Sequence, residues 1–308
     1  MKTIKQFRMI LAGAAVMSLV LFSCKKEATT PDDSSEQTTQ ASDDAKIEGN
    51  VDQALEDANT AVGDVPSMSG KMESTSICGA TIDSSQKSSG IIIITYTPST
   101  ACVGGTVTRS GQIQLTLTGG QWKDAGAKIT ITFTNYKVTR ISDGKSITFN
   151  GSKSITNVNG GLVSQITGSA TVVHKAHGSL NITFDDGTVR SWNIARKRTY
   201  SLNGSSVLQI KVEGDTTITY ANTVIWGTNR KGNAFNVVIS TPIEANATCG
   251  WHRPTTGVRV HKGIAHDLTV TFGVDNAGNP VTSGCGAYGY KLNWTNAKGT
   301  AKQAVVNY

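Results

Sequence analysis

The chain has 308 residues and a formal net charge of +7, and this charge is unevenly distributed. Residues 24–65 carry 3 basic and 11 acidic side chains (net −8), whereas residues 66–308 carry 23 basic and 11 acidic side chains (net +12). The uncharged apolar run Met9–Phe22 has fourteen residues, too few for a membrane-spanning helix, which needs about 20. The length of this run therefore argues against a membrane-spanning helix. The excess of basic side chains after residue 65 predicts an anionic partner.

The first 23 residues have the pattern of a bacterial export signal. A basic segment, Lys2–Arg8, precedes the apolar run, which is typical of a secretory signal peptide. The run ends in Leu21-Phe22-Ser23-Cys24, which resembles the bacterial lipobox. The resemblance implies that residues 1–23 are removed, and that Cys24 receives a diacylglyceryl thioether and is N-acylated, with palmitate an expected chain. We therefore expect a cell-envelope lipoprotein, held on the outer membrane by the lipid at Cys24.

Two acidic segments follow the lipid site. Residues 24–44 contain almost no large apolar side chain, so we predict a disordered tether there. Its start, Lys25-Lys26-Glu27, resembles the surface-export signals of Bacteroidota lipoproteins. The cell surface and the periplasmic face of the outer membrane are both kept as alternative locations.

Residues 45–64 are predicted to form an amphipathic helix. Asp43 or Asp44 can cap this helix and Gly63 can end it. An apolar stripe at helical spacing is formed by Ile47, Val51, Leu55, Ala58 and Val62. The opposite side carries Glu48, Asp52, Glu56 and Asp57. We expect the stripe to rest on the following domain; a partner-binding or self-associating helix is the alternative.

Residues 70–308 are predicted to form an all-β, antiparallel meander, either a large β-sandwich or one long curled sheet. Thr, Val and Ile dominate runs with period-two alternation, and Asn-Gly or Asp-Gly pairs, among them Asn150-Gly151, predict tight turns between them. The predicted strands are Ile91–Thr97, Gln112–Thr118, Lys128–Phe133, Ser146–Phe149, Ser179–Phe184, Thr188–Ile194, Val207–Val212, Thr216–Tyr220, Phe235–Ser240, Thr269–Phe272 and Tyr288–Trp294.

Internal similarity within the β region indicates duplication. The segments Trp122–Phe133, His174–Phe184 and His261–Phe272 each combine turn-like sequence with a strand that ends in Thr-Phe. Their spacings are unequal, which argues against a solenoid with a fixed period. A single domain and two half-domains divided near residues 160–168 both fit this pattern.

Four cysteines follow Cys24, and an exported protein is expected to hold them as disulfides. Four cysteines allow three pairings. We favour Cys78–Cys102 and Cys249–Cys285, because each pair brackets one predicted strand. The sequence has no Cys-x-x-Cys pair and no close Cys/His spacing, so a structural zinc site is disfavoured.

The order of these motifs resembles the all-β envelope lipoproteins of Bacteroidota. The motifs are the acidic helix, Cys78, Cys102, repeated Ile-Thr-Phe strands, Trp226-Gly-Thr-Asn, Cys249 and Cys285. The resemblance covers most of the chain after Cys24. It implies a lipid-anchored all-β build, and it implies no particular activity.

One strand carries the strongest basic cluster. Its shared face is predicted to hold Arg190, Trp192, Ile194, Arg196, Arg198 and Tyr200, with Lys197 on the other face. Arginines interleaved with aromatics are typical of anion binding, so Arg190, Arg196, Lys197 and Arg198 are candidates for contact with an anionic glycan or lipopolysaccharide. The alternative is a solvated edge strand that uses charge against aggregation. Nucleic acid is a disfavoured partner because the chain has no nucleic-acid-binding signature.

Known catalytic motifs are absent from the sequence, and no cofactor is expected. The chain has no Gly-x-Ser-x-Gly, His-Glu-x-x-His or Walker motif. Four histidines at similar places in two of the repeated segments could converge on Zn²⁺ or Cu²⁺, although exposed polar residues are the simpler interpretation. They are His174, His177, His261 and His266.

The five tryptophans could stack on sugars, but packing positions are more usual for tryptophan in an all-β domain. They are Trp122, Trp192, Trp226, Trp251 and Trp294. We predict a non-catalytic binding or structural module, for which a protein is one candidate partner, and keep a carbohydrate-binding or carbohydrate-processing component as the alternative. An enzyme predicts a concave cluster of Asp, Glu or His, whereas a structural module predicts flat faces rich in Thr.

Overall fold

The computed structural model describes residues 34–63, 77–98, 105–251, 253–263, 266–296 and 298–308. Within them, one helix, α1 (Ser34–Gly63), precedes a single antiparallel sheet of fourteen strands. The strands are β1 (Ala80–Asp83), β2 (Ile91–Tyr96), β3 (Val107–Thr118), β4 (Lys128–Arg140), β5 (Ser146–Asn157), β6 (Val172–Phe184), β7 (Val189–Leu202), β8 (Leu208–Gly214), β9 (Thr223–Thr228), β10 (Ala234–Asn246), β11 (Thr256–Lys262), β12 (Leu268–Val274), β13 (Gly289–Thr295) and β14 (Ala301–Asn307). No helix in the described ranges is long and apolar enough to cross a membrane.

The sheet is a meander in which strands that are neighbours in sequence are neighbours in space, with one departure. Strands β8 and β9 both lie between β7 and β10, and β9 pairs with Trp192–Ile194 while β8 pairs with Arg196–Leu202. Gly227 makes the approach of β9 to β7 feasible. A Cβ at this position would lie 2.2 Å from the carbonyl oxygen of Ser191, so only glycine fits there.

The predicted all-β antiparallel meander with one preceding helix is confirmed, in the form of one sheet. The sandwich alternative and the division near residues 160–168 are wrong. Strands β5 and β6 pair from Ile147↔Phe184 to Asn157↔His174, so the proposed division falls in a hairpin connection within one continuous sheet. The repeated segments are also not structurally equivalent, because His174 lies inside β6 and His261 lies in β11, the strand before β12.

The apolar core lies between α1 and one face of the sheet, which we call the inner face; the opposite side is the outer face. Ile47, Val51, Leu55 and Ala58 of α1 are buried in one cluster with side chains from β2 to β10. A second cluster, built on β12 and β13, includes Ala41 of the same helix. Since one helix contacts strands from both halves of the meander, the sheet curls around α1.

The helix begins eleven residues earlier than predicted. Residues 34–44, predicted as part of a disordered tether, form the first turns of α1, and Asp43 and Asp44 lie within the helix and do not cap it. The prediction failed because it counted only apolar burial, whereas Asp43 and Asp44 are buried by partners outside the helix, and the buried Gln40 donates to Asp44 one helical turn later. Gly63 ends the helix as predicted, while Cys24 and the rest of residues 1–33 lie outside the described residues.

Most predicted strands are present, often longer than predicted, but some predictions are wrong. Thr216–Tyr220 is a connection with one isolated bridge, and Asn150-Gly151 lies inside β5 and does not form a turn. The prediction also missed β1, β9, β11 and β14.

The predicted Cys249–Cys285 disulfide is present, with a Cα–Cα distance of 5.0 Å. Cys78 is also disulfide-bonded. Cys102 lies outside the described residues, so the Cys78–Cys102 pairing stays a prediction.

Candidate functional site: a charged seam between helix and sheet

Five carboxylates of α1 meet basic side chains on the inner face, and we call this set of contacts the seam. The acidic members are Asp43, Asp44, Glu48, Asp52 and Asp57. Their basic partners are Arg109, Lys153, Arg190, Arg196, Arg198, Arg230, Arg259 and His261. The seam therefore joins the acidic N-terminal segment of the chain to its basic β region.

The pair formed by Asp44 and Arg190 is the most deeply buried part of the seam. Both side chains have 0% exposure, and Arg190 Nη2 donates to Asp44 Oδ1 at 2.8 Å. His261, also at 0% exposure, places Nδ1 3.3 Å from Asp44 Oδ2. Burial alone would raise the pKa of Asp44, but the contact with His261 and the charge of Arg190 outweigh it and lower this pKa.

Asp43 forms a two-pronged contact beside this pair. Nε and Nη2 of Arg230 each donate to a different carboxylate oxygen of Asp43, both at 2.7 Å. The guanidinium of Arg230 also lies 3.5 Å from the centre of the Phe184 ring. This bidentate geometry fixes the orientation of both planar groups.

Glu48 and Asp52 bridge distant parts of the sheet. Glu48 accepts from Arg196 of β7 at 2.7 Å and from Arg259 of β11 at 3.3 Å. Asp52 accepts from Arg198 at 3.3 Å and lies 3.7 Å from Lys153 Nζ. Each helical turn thus connects strands that do not pair with each other.

The electrostatics of Asp52 and Lys153 follow from their burial. Burial would raise the pKa of Asp52, but the nearby positive charges of Arg198 and Lys153 lower it to about 2. The Lys153 side chain is 1% exposed, and burial lowers its pKa to about 7 despite the attraction of Asp52. Pairing therefore keeps Asp52 ionised, whereas burial weakens the hold of Lys153 on its proton.

Asp57 closes the seam near the C-terminal end of α1. Its carboxylate accepts from the Tyr96 hydroxyl at 2.6 Å and from Arg109 Nη1. Arg109 lies 5.0 Å from the centre of the Tyr96 ring, and this ring packs against Tyr136. From Asp43 to Asp57, α1 is thus attached to the sheet by ionic contacts as well as by the apolar stripe.

Three of the four predicted anion-binding residues lie in the seam, but their anions belong to the same chain. The predicted shared face of β7 is correct, because Arg190, Arg196 and Arg198 all reach α1. Lys197 lies on the outer face, 3.4 Å from Glu213. The edge-strand alternative is wrong, since β7 is paired on both sides.

Four basic members of the seam were missed by sequence reasoning, namely Arg109, Lys153, Arg230 and Arg259. Each of them is isolated on its own strand or turn, so no local cluster of basic residues indicated its role. The available signal was the opposite net charge of residues 24–65 and 66–308, which indicated that the two segments could neutralise each other.

The four candidate histidines do not form one metal site. His174 packs between Trp122 and Tyr200 on the inner side of β6, whereas His177 lies on the outer face, with Nε2 2.8 Å from Asp215. His261 is buried beside Asp44. Among the residues that the structure describes, no group of three or more His, Cys, Asp or Glu is placed to hold a metal ion, and His266 belongs to no such group.

The outer face has a different chemistry from the seam. Directly opposed residues on successive strands share a face, and one such series runs across six strands from β4 to β10. Its members, which we call the Trp226 row, are Thr132, Ser152, Ser179, Asn193, Trp226 and Asn236. A neighbouring row contains Asn150, Asn181, Ser191 and Thr228.

Several carboxylates outside the seam have simple structural roles. Asp215 contacts Lys175 at 2.9 Å and His177 at 2.8 Å on the outer face. Asp186, in the turn between β6 and β7, accepts from Thr188, and Asp275 accepts main-chain hydrogen bonds within its own turn.

Comparison with protein-family models, with curated protein sequences and with solved structures gives no match to this chain.

Proposed function

We propose that the protein is a non-catalytic binding or structural module of the cell envelope, anchored to the outer membrane through lipid on Cys24. The observation that carries the non-catalytic part is the seam. Its ionisable side chains, which an enzyme could use for proton transfer, are buried or half-buried in ion pairs that attach α1 to the sheet. This arrangement supports a structural role for the charges.

The anchoring part of the proposal rests on the sequence and is consistent with the position of α1. Nine residues separate Cys24 from Ser34, where the helix begins. Ten chain steps can span at most about 35 Å. A lipid on Cys24 would therefore tether the helix through a linker no longer than this. The Cys249–Cys285 disulfide supports export into an oxidising compartment.

The structure gives no support to anion binding at Arg190, Arg196 and Arg198 in the folded protein. Their guanidinium groups face α1 and are paired with its carboxylates. An external anionic glycan or lipopolysaccharide would have to displace the helix and its apolar stripe. Anion binding by these three arginines is therefore not part of the proposed function.

Lipid labelling of the full chain tests the anchoring proposal. Expressed in a Gram-negative host supplied with an alkyne-tagged fatty acid, the wild-type protein is expected to become labelled and to fractionate with the outer membrane. Cys24→Ala is expected to abolish the label, because the thioether and the new N-terminus both depend on that residue. Cys249→Ser is the matched control and is expected to keep the label.

Two outcomes would contradict the anchoring proposal: a wild-type protein without label, or a Cys24→Ala variant that keeps it. Protease treatment of intact cells then distinguishes the two orientations. Digestion indicates the cell surface, and protection indicates the periplasmic face.

A further inference from the structure

We propose that the outer face around Trp226 binds a neutral polysaccharide. The proposal names a ligand class for the binding module proposed above and rests on its non-catalytic binding role. It does not depend on the lipid anchor.

Trp226 is a half-buried indole in the middle of the outer face. Its sequence neighbours face the other way or have no side chain: Ile225 is fully buried in the core, and Gly227 lies against the backbone of β7. Across the sheet, Trp226 is flanked by Asn193 of β7 and Asn236 of β10. An aromatic ring at the centre of a solvent-facing sheet offers a flat apolar surface, on which the C–H face of a sugar ring can pack.

The residues around the indole can form hydrogen bonds with hydroxyl groups. The Asn193 amide donates to the main-chain oxygen of Trp226 at 3.2 Å, which fixes this amide beside the ring. In the next row, the hydroxyls of Ser191 and Thr228 lie 3.1 Å apart. Farther along the Trp226 row, Ser152 and Ser179 are exposed. Hydroxyl and amide groups both donate and accept, as sugar hydroxyls do.

The charge of this surface favours an uncharged ligand. None of the six members of the Trp226 row is ionisable, and neither are Asn150, Asn181, Ser191 and Thr228 in the neighbouring row. The next position on β11 is Lys262, whose Nζ lies 2.6 Å from Asp267. On its other side, the Trp226 row is bounded by the row that contains His177, which contacts Asp215. In a chain with 29 basic residues, these two uncharged rows are matched to a neutral polysaccharide better than to an anionic one.

The dimensions also fit an extended chain of sugars. From Ser152 to Asn236 the row crosses four inter-strand spacings, which is about 19 Å. Such a row is long and flat, with one stacking ring and polar groups on either side. This shape is suited to a linear polysaccharide lying across the strands and not to a small molecule enclosed in a pocket.

The other tryptophans have different environments and provide a control. Trp192 is fully buried, Trp122 packs against His174, and Trp294 packs in the second apolar cluster. Trp251 is 44% exposed but lies in the turn after β10, outside the Trp226 row. Trp251→Ala therefore removes an exposed indole without changing the proposed surface.

The test measures retention of the full chain, purified in detergent, on immobilised neutral polysaccharides (β-glucan, α-glucan, mannan and xylan) and on heparin. We expect retention on at least one neutral polysaccharide, little changed by NaCl because no ion pairs are formed. Trp226→Ala is expected to weaken this binding about thirtyfold or more, as for a central aromatic contact, while Trp251→Ala binds like the wild type.

Ser179→Lys tests the same surface without touching the core, because Ser179 is exposed. A long charged side chain at this position is expected to block the row and reduce retention even if Trp226→Ala folds poorly. The proposal is overturned if the protein is retained on no neutral polysaccharide, or if it is retained on heparin alone in a salt-sensitive way. It is also overturned if Trp226→Ala and Trp251→Ala lose binding equally, or if Ser179→Lys binds like the wild type. Loss of lipid labelling in the earlier experiment would leave all these outcomes unchanged.

Discussion

The two faces of the sheet use polar residues in opposite ways. On the inner face, arginines alternate with core residues along β7 and are buried against the carboxylates of α1. On the outer face, the Trp226 row is uncharged, and ion pairs such as Lys175–Asp215 involve exposed side chains. The usual arrangement, with charge outside and apolar residues inside, is thus partly reversed. Arginines at alternate positions of a strand can indicate a partner within the same chain as readily as an external ligand.

The largest expected effect comes from breaking the seam at its most buried point. Asp44→Ala would leave Arg190 buried without its carboxylate, so we expect the free energy of unfolding to fall by about 3–5 kcal/mol. Asp215→Ala, on the outer face, removes contacts to Lys175 and His177, whose side chains are 42% and 54% exposed, and should cost no more than about 1 kcal/mol. Urea unfolding of both variants measures the difference, and similar losses would contradict the contrast between the faces.

A smaller loss of stability is expected at acidic pH. Two histidines of β6, one on each face of the sheet, allow the two faces to be compared. Burial lowers the pKa of His174 to about 4, whereas the ordinary value is about 6.5. Between these values the unfolded chain binds a proton that the folded protein does not, so His174 causes stability to be lost as the pH falls from 6.5 towards 4. His174→Phe keeps a ring between Trp122 and Tyr200 and should reduce this loss.

His177→Phe is the matched control for this experiment, because His177 is exposed on the opposite face of the same strand. Urea midpoints measured at pH 7, 6, 5 and 4 should show a shallower decline for His174→Phe only. Parallel declines in the wild type and both variants would show that His174 does not contribute to acid sensitivity.

The smallest effect is expected on the outer face. Ser152 is exposed in the Trp226 row, so Ser152→Ala should change the free energy of unfolding by no more than about 0.5 kcal/mol. Phe149, on the same strand, is fully buried on the inner face, and Phe149→Ala should cost about 3–5 kcal/mol. A cost above about 1 kcal/mol for Ser152→Ala would show that the outer face is structurally constrained.

Much of the sheet could be predicted because period-two alternation is a local property. The shared face of Arg190, Arg196 and Arg198 followed from this alternation, and so did the placement of Lys197 on the other face. That α1 covers the inner face could not be predicted in the same way. Glu48 and Arg196 are 148 residues apart, and nothing near either residue in sequence indicates the other.

The missed elements have equally physical reasons. Residues 34–44 lack an apolar stripe, and their helix depends on distant residues: Arg190 of β7 holds Asp44, and Arg230 in the turn after β9 holds Asp43. Asn150-Gly151 has the composition of a turn, but it is held inside β5 by pairing with Asn181 and Leu180 of β6. In both cases tertiary contacts override the local preference.

The separation of seam partners along the chain has a consequence for the order of folding. The hairpins of the meander join strands that are adjacent in sequence, so they close short loops and form early. Glu48 contacts Arg259 across 211 residues, so this contact requires β11 to be in place. Helix α1 precedes all fourteen strands in the chain, yet it is among the last elements to find its full set of partners. Its high density of negative charge keeps it hydrated during that interval, when an apolar helix would be prone to aggregation.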